Sequence, residues 1–259
     1  MLSDRVAFVT GAGSGIGAAS ARLMARQGAA VALVSRTAEE LEELAEQIRG
    51  EGGRALPVSG DVSDEESVVE AYAKVLEEFG RLDVVVANAG VNGRWAGIED
   101  LTADDFRSTL DINLTGTFLT IKHAVPHLRR QGGGSVVVVA SVNGTRMFSN
   151  TGATAYSSSK AGQVAMTKML AVELGPSKIR VNVVCPGAID TDISDNTQAD
   201  NADVMIPVEF PEGAIPLTGT ESGSAEQVAD LITFLASDAA SHVSGSEVWI
   251  DGAQSLLQG

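Results

Sequence analysis

Tyr156 and Lys160 stand four residues apart in Tyr156-Ser157-Ser158-Ser159-Lys160, so on a helix both side chains leave the same face. A phenol normally keeps its proton to about pH 10, and a lysine ammonium to about 10.4. A neighbouring ammonium favours the phenolate. The spacing therefore predicts a tyrosine of lowered pKa, able to act as a general acid or base near neutral pH. The same pair taken alone also describes two solvated surface residues. Its meaning depends on what the rest of the chain brings to it.

The second candidate is a glycine turn, Thr10-Gly11-Ala12-Gly13-Ser14-Gly15-Ile16-Gly17, directly after an apolar run and directly before an amphipathic one. Glycines let a backbone turn sharply and approach a pyrophosphate. A helix starting there offers free N–H groups and the positive end of its dipole. No Gly-Lys-Ser/Thr follows, so the turn is not a Walker A loop. Gly11, Ser14, Gly15, Ile16 and Gly17 are its expected cofactor-binding residues. Many dinucleotide folds carry an acid about 20 residues later for the ribose hydroxyls. Here Ser35-Arg36 ends the second apolar run, with no carboxylate to repel a 2′-phosphate and a guanidinium to bind one. That favours NADP(H), with NAD(H) possible; the alternative is that Arg36 is solvated at a helix start. Asp61-Val62, after the third run, is placed to meet an adenine, or Asp61 caps the next helix.

These groups need a scaffold, and the chain alternates to supply one. Apolar runs at 6–9, 31–34, 55–58, 82–87, 136–140, 179–184 and 248–250 are separated by amphipathic stretches at 16–27, 38–49, 65–79, 102–130, 155–174 and 224–235. The runs are near-continuously apolar, as expected of parallel strands buried on both faces. The pattern predicts a single-domain α/β Rossmann fold over 1–259, a doubly wound seven-stranded parallel sheet with helices on both faces. Ligands of such sheets sit at the C-terminal ends of the strands. Residues 187–223 break the rhythm and read as a substrate lid or as a surface insertion.

With these residues in view, the chain resembles the short-chain dehydrogenases/reductases along nearly its whole length. The matches are the glycine turn, Asn88-Ala89-Gly90, Asn113, Ser141, Tyr156 with Lys160, Pro186-Gly187 with Thr191, and a closing segment from Gly245 to Gly252. The resemblance implies an oxidoreductase moving a hydride between a nicotinamide cofactor and a carbonyl or alcohol. It implies Tyr156 as proton donor and acceptor, Lys160 as the group that lowers its pKa and binds the nicotinamide ribose, and Ser141 as the holder of the substrate oxygen. Asn113 would position a water linking Lys160 to solvent. Asn88 would support the cofactor and the adjacent strand, and Ile189 and Thr191 would contact the carboxamide. It also implies a homotetramer packed through 102–130 and 155–174, with a second contact at the C-terminal strand and tail. Ser141 and Tyr156 stand 15 apart, wider than the family's commonest spacing, so the loop between them must reshape the pocket wall. Asn143, Arg146, Met147 and Phe148 are its candidate lining residues.

Composition excludes several classes. The net charge is −16, and residues 181–259 hold thirteen of the 34 acidic residues but none of the 18 basic ones. That is the wrong sign for nucleic-acid binding. It reads as a solubility or salt feature, or as an acidic rim that disfavours anionic substrates. No apolar run approaches a membrane span. Cys185 is the only cysteine, so no internal disulfide forms and a cytosolic address fits, as does the absence of a basic-then-apolar leader. His123, His127 and His242 have no zinc spacing, and no metal is expected. The expected partner is a small, mostly neutral carbonyl or alcohol. A beta-ketoacyl carrier-protein reductase is the alternative, with Arg129 and Arg130 as its docking groups. A cofactor-binding regulator without turnover is a further one, which should have lost the tyrosine, lysine or serine.

Overall fold

Valine-rich runs flanked by helix-forming stretches become strands here because both of their faces are covered. The computed structural model of the chain describes residues 1–191, 193, 197–199 and 215–258. Its first half runs β1 (Val6–Thr10), α1 (Gly15–Arg26), β2 (Ala30–Ser35), α2 (Ala38–Gly50), β3 (Arg54–Ser59), α3 (Glu65–Phe79), β4 (Val84–Ala87) and a short β5 (Gly93–Trp95). There follow α4 (Ala103–Leu110), α5 (Gly116–Arg130), β6 (Gly134–Val139), α6 (Thr154–Leu174), β7 (Ile179–Pro186), β8 (Ile189–Asp190) and β9 (Thr197–Ala199). The chain closes with β10 (Gly223–Ser224), α7 (Ala225–Ala236), β11 (Glu247–Ile250) and α8 (Gln254–Gln258).

Seven strands form one sheet in the order β11-β7-β6-β4-β1-β2-β3, and every registered pair is parallel. This is the doubly wound Rossmann architecture expected above. Alternate strand residues enter two cores. Val6 and Phe8 join Tyr72, Leu119 and Val164 on one face, under α3, α5 and α6. Ala7 and Val9 join Met24, Leu41 and Ile232 on the other, under α1, α2 and α7. Each large side chain so buried contributes about 1.5–3 kcal/mol. The chain winds one way from β1 through β3 and the other way from β4 outward. The crevice between the C-terminal ends of β1 and β4 is therefore the topological switch point, where such sheets bind ligands.

Two features depart from the sequence reading. Residues 102–130 are not one helix: a single π-helical turn, Asp111–Thr115, separates α4 from α5. Such turns widen the helix locally and often mark functional sites. Here Asn113 sits inside it. The second departure is β5, which pairs in parallel with β9 as a separate two-stranded ribbon. The substrate lid expected over 187–223 lies largely outside the described residues. Among the described residues no helix is long and apolar enough to cross a membrane.

Candidate active site

The glycine turn is shaped by two left-handed residues, Gly11 at φ 63° and Gly15 at φ 51°, a conformation that costs most residues free energy. Gly17 is needed for a different reason. A Cβ there would overlap the Gly11 carbonyl oxygen and stand 2.7 Å from Asn88 Nδ2. Asn88 stitches the turn to the end of β4, donating from Nδ2 to the Thr10 and Gly11 carbonyls at 3.0 and 3.3 Å. Its N–H donates to Thr10 Oγ1 at 3.0 Å. At the start of α1, Ser14 makes no side-chain cap and no acidic residue occupies the first turn. The helix N–H groups and positive dipole end are thus left for an anion. The residues present fit a dinucleotide pyrophosphate: a tight cradle that a Cβ would fill, against an uncapped helix.

A cleft of about 500 Å³ opens from this turn. Gly11, Ser14, Gly15, Ile16, Arg36, Asp61, Val62, Asn88 and Thr191 line it, as do Gly13, Ser35 and Gly90 of the same motifs, and Glu40 and Ile112, which no motif singled out. Gly17, Tyr156, Lys160, Pro186, Gly187 and Ile189, also expected to bind the cofactor, are not among its lining residues. Gly187 admits the C-terminal segment: a Cβ there would stand 2.6 Å from Asp251 Cβ. The two readings of Asp61 separate. The cap of α3 is Asp64, which accepts from the Glu66 N–H at 3.1 Å. Asp61 instead accepts from the Ser63 N–H and hydroxyl at 2.9 and 2.7 Å, in the cleft. Burial pushes the Asp61 carboxyl up, but the Ser63 bonds and the Arg36 charge together hold it below the ordinary range.

Beyond the switch point, β6 and α6 bring Ser141, Tyr156 and Lys160 together. Ser141 stands close enough to the Tyr156 hydroxyl to pull its pKa down, and it accepts from the Asn143 N–H at 3.2 Å. Lys160 lies 5.5 Å from the Tyr156 ring centroid and donates to the Val139 carbonyl at 3.0 Å. Tyr156 and Lys160 are 8% and 3% exposed, so they are not the solvated pair that the spacing alone allowed. Burial also corrects the expected titration. Desolvation raises the Tyr156 phenol above its ordinary value, outweighing the lowering effect of the nearby Ser141 hydroxyl. Desolvation lowers the Lys160 ammonium from 10.5 to about 8. Each group is driven toward its neutral form, because the low-dielectric setting penalises either charge.

Asn113 is fully buried and heavily bonded. Its Oδ1 accepts from the Val91 N–H at 2.8 Å, and its Nδ2 donates to the Val91 carbonyl at 2.9 Å and to Ser159 Oγ at 3.0 Å. Its own carbonyl accepts from Thr117 Oγ1 at 2.7 Å and Gln163 Nε2 at 2.8 Å. The visible work of Asn113 is to pin the π turn to the loop after β4 and to α6. Gln163, a polar residue on a buried helix face one turn beyond Lys160, was the signal for this network.

The loop between Ser141 and Tyr156 does not line one wall throughout. Asn143 and Met147 are buried, while Phe148 is exposed. The Arg146 guanidinium stacks 3.5 Å from the centroid of Trp249, on β11. Near its end the loop meets β5, with Ala96 N–H donating to the Gly152 carbonyl at 3.2 Å. Trp95 stands there, its ring centroid 6.5 Å from that of Tyr156. Cys185 is buried beneath the site, and desolvation pushes its thiol up to about 12, so it is an inert small residue. His123 is taken by Glu65 at 2.8 Å, and no three metal-ligating side chains cluster among the described residues.

A doubly wound sheet with an uncapped glycine turn at its switch point, and a buried tyrosine, lysine and serine beside it, defines the class of nicotinamide-dinucleotide oxidoreductases. The chain belongs to the short-chain dehydrogenase/reductase family. Residues 11–253 match the family model described as enoyl-(acyl carrier protein) reductase. The cis-4-hydroxycyclohexanecarboxylate dehydrogenase of Sinomonas cyclohexanicum is 42% identical over 255 residues, 98% of each chain. The crystal structure of a 3-ketoacyl-ACP reductase from Sinorhizobium meliloti superposes with a TM-score of 0.92 at 50% identity, covering 97% of this chain and 99% of that one. A 3-ketoacyl-(acyl-carrier-protein) reductase from Brucella melitensis complexed with NADH gives 0.87 at 30% identity, covering 98% of this chain and 100% of that one. The protein is accordingly an NAD(P)(H)-dependent oxidoreductase that interconverts a ketone or aldehyde and an alcohol.

Proposed function

We propose that the protein reduces a compact cyclic ketone, or oxidises the matching alcohol, with Tyr156 as the proton donor and acceptor. The observation that carries this reading is the buried contact of Tyr156 with Ser141 and Lys160 beside the dinucleotide cleft. The bound dinucleotide supplies or accepts the hydride. Ser141 Oγ and the Tyr156 hydroxyl would together donate to the substrate oxygen, where charge develops during reduction. Tyr156 gives that oxygen its proton. The Lys160 ammonium, still mostly protonated at neutral pH with a pKa of about 8, stabilises the phenolate left behind. Asn113 serves by holding the π turn and the loop after β4 against α6. Arg36 favours NADP(H) as the cofactor, with NAD(H) possible.

Trp95 beside Tyr156 offers a flat apolar wall suited to a ring, and the Sinomonas relative acts on a substituted cyclohexane. A beta-ketoacyl carrier-protein reductase is the second reading, favoured by the 50% identity to the Sinorhizobium structure. Against it, no basic residue follows Arg180, while an acidic carrier protein needs basic docking surface. A panel of six-membered ring ketones, linear ketones and beta-ketoacyl thioesters, each run with NADPH and NADH, separates the two. We expect kcat/KM to be highest for a ring ketone; a preference for the thioester would establish the second reading.

We also propose a homotetramer and a cytosolic location. Ala161, Ala165, Met169 and Val172 form an exposed apolar stripe along α6, with Phe118 exposed on α5. Leu256 and Leu257 are exposed in the tail. Patches of this kind mark association surfaces, and small residues let helices approach closely. Light scattering should give the mass of four chains; the mass of one would refute the assembly. The unpaired Cys185 fits a reducing compartment.

A further inference from the structure

The dinucleotide cleft carries opposite charges at one end. Arg36 follows β2, and Glu40 lies one helical turn further on, in the first turn of α2; both are exposed and both line the cleft. Glu40 does not simply point into solvent. A Cβ built on Gly13 would collide with a Glu40 carboxylate oxygen, with Glu40 Cδ at 3.3 Å and Ser35 Oγ at 3.2 Å. Gly13 is the middle of the phosphate turn, so the carboxylate lies across the cleft floor between that turn and the end of β2. Glu40 makes no side-chain hydrogen bond or ion pair among the described residues, whereas the Arg36 charge also acts on Asp61, which lines the same cleft. The carboxylate is thus held over Gly13 without a neutralising partner.

We propose that Glu40 selects between the two nicotinamide dinucleotides, working against Arg36. The end of the second strand is where doubly wound folds hold the adenosine ribose hydroxyls. A 2′-phosphate brings close to two negative charges at neutral pH. Arg36 attracts it and Glu40 repels it. A free 2′-hydroxyl is a donor that Glu40 accepts, and it gives Arg36 little to bind. The site therefore narrows the NADP(H) advantage that Arg36 alone would confer. It does so from a helix position four residues beyond the one where the acid of an NAD-binding fold is sought. The inference rests on the dinucleotide reading of the cleft and sharpens its cofactor choice.

Isothermal titration of NADPH and NADH into the full-length protein, Glu40→Gln and Arg36→Ala tests it at low and high salt. Glu40→Gln should tighten NADPH about tenfold more than NADH, because the 2′-phosphate feels the lost charge in addition to the pyrophosphate that both nucleotides carry. That gain should shrink at high salt, since both groups are solvent-screened. Arg36→Ala should do the reverse, weakening NADPH about tenfold and sparing NADH. If both nucleotides bind and Glu40→Gln leaves their affinity ratio unchanged, the role of Glu40 is overturned and the cofactor reading stands. If the wild-type protein binds neither nucleotide, the cofactor reading falls and the proposal falls with it.

Discussion

Tyr156→Phe should lower kcat by about a thousandfold or more while leaving the fold and the dinucleotide affinity nearly unchanged. General acid–base groups contribute about 10²–10⁴ in rate, and the neighbouring Ser159 hydroxyl is already donating to the Tyr156 carbonyl at 2.7 Å. Phenylalanine keeps the ring that packs 6.5 Å from Trp95. It removes one buried hydroxyl, and a hydrogen bond of such a group is worth about 1 kcal/mol net, so unfolding stability should move by no more than that. Nucleotide affinity should stay within about twofold, because the lining of the cleft is untouched. Single-turnover kinetics beside a titration of the same variant separate these quantities. A variant that folds, binds nucleotide and turns over like wild type would remove Tyr156 from the chemistry.

Lys160→Met should cost about 10²–10³ in turnover and make the protein more stable. The ammonium is 3% exposed and has one hydrogen bond, to the Val139 carbonyl. Burial displaces its pKa from 10.5 to about 8, which corresponds to about 3 kcal/mol. The direction in pH follows from proton counting. Below pH 8 the lysine is charged in both folded and unfolded chains, and the full cost of burying that charge is present. Between about 8 and 10.5 the unfolded chain binds a proton that the folded chain has released, so stability rises with pH. Methionine fills the same space without a charge but leaves the Val139 carbonyl unpaired, at about 1 kcal/mol or more. Denaturant titration should thus show a net gain of about 1–2 kcal/mol at pH 7 and no rise above pH 8. Reduction by the wild type should be flat from pH 6 to about 8, because the Tyr156 phenol keeps its proton there, and should fall as Lys160 is neutralised. Oxidation of the alcohol needs the phenolate and should rise with pH over the same range. A lysine variant less stable than wild type at pH 7 would contradict the burial cost assigned to this side chain.

The sheet was legible because parallel strands buried on both faces leave near-continuous apolar runs, as Val84–Ala87 and Gly134–Val139 show. Tyr156 and Lys160 were legible because four residues on a helix is a fixed spatial relation. What escaped depends on contacts through space. The π turn at Asp111–Thr115 has no periodic signature; it arises from bonds that Asn113 makes to Val91, Ser159 and Gln163. β5 is three residues long and exists through pairing with β9. The lowered tyrosine pKa expected from the Tyr-Lys spacing failed because adjacency counts only the charge term. In the folded chain desolvation of both groups is larger. Glu40 is one of several glutamates in Ala38–Gly50, and only the fold brings its carboxylate over Gly13.

The central claim is a one-to-one exchange: one hydride through the nicotinamide and one proton through Tyr156 for each carbonyl reduced. Its most direct test is stoichiometry in a closed reaction of the protein, reduced dinucleotide and the best ring ketone, measuring cofactor oxidised, alcohol formed and proton taken up. Equal amounts of all three are expected with the wild-type protein, and, over the time the wild-type protein needs to finish, almost none above background with Tyr156→Phe at matched nucleotide occupancy. Equal yields from the two proteins, or cofactor oxidised without alcohol formed, would contradict it.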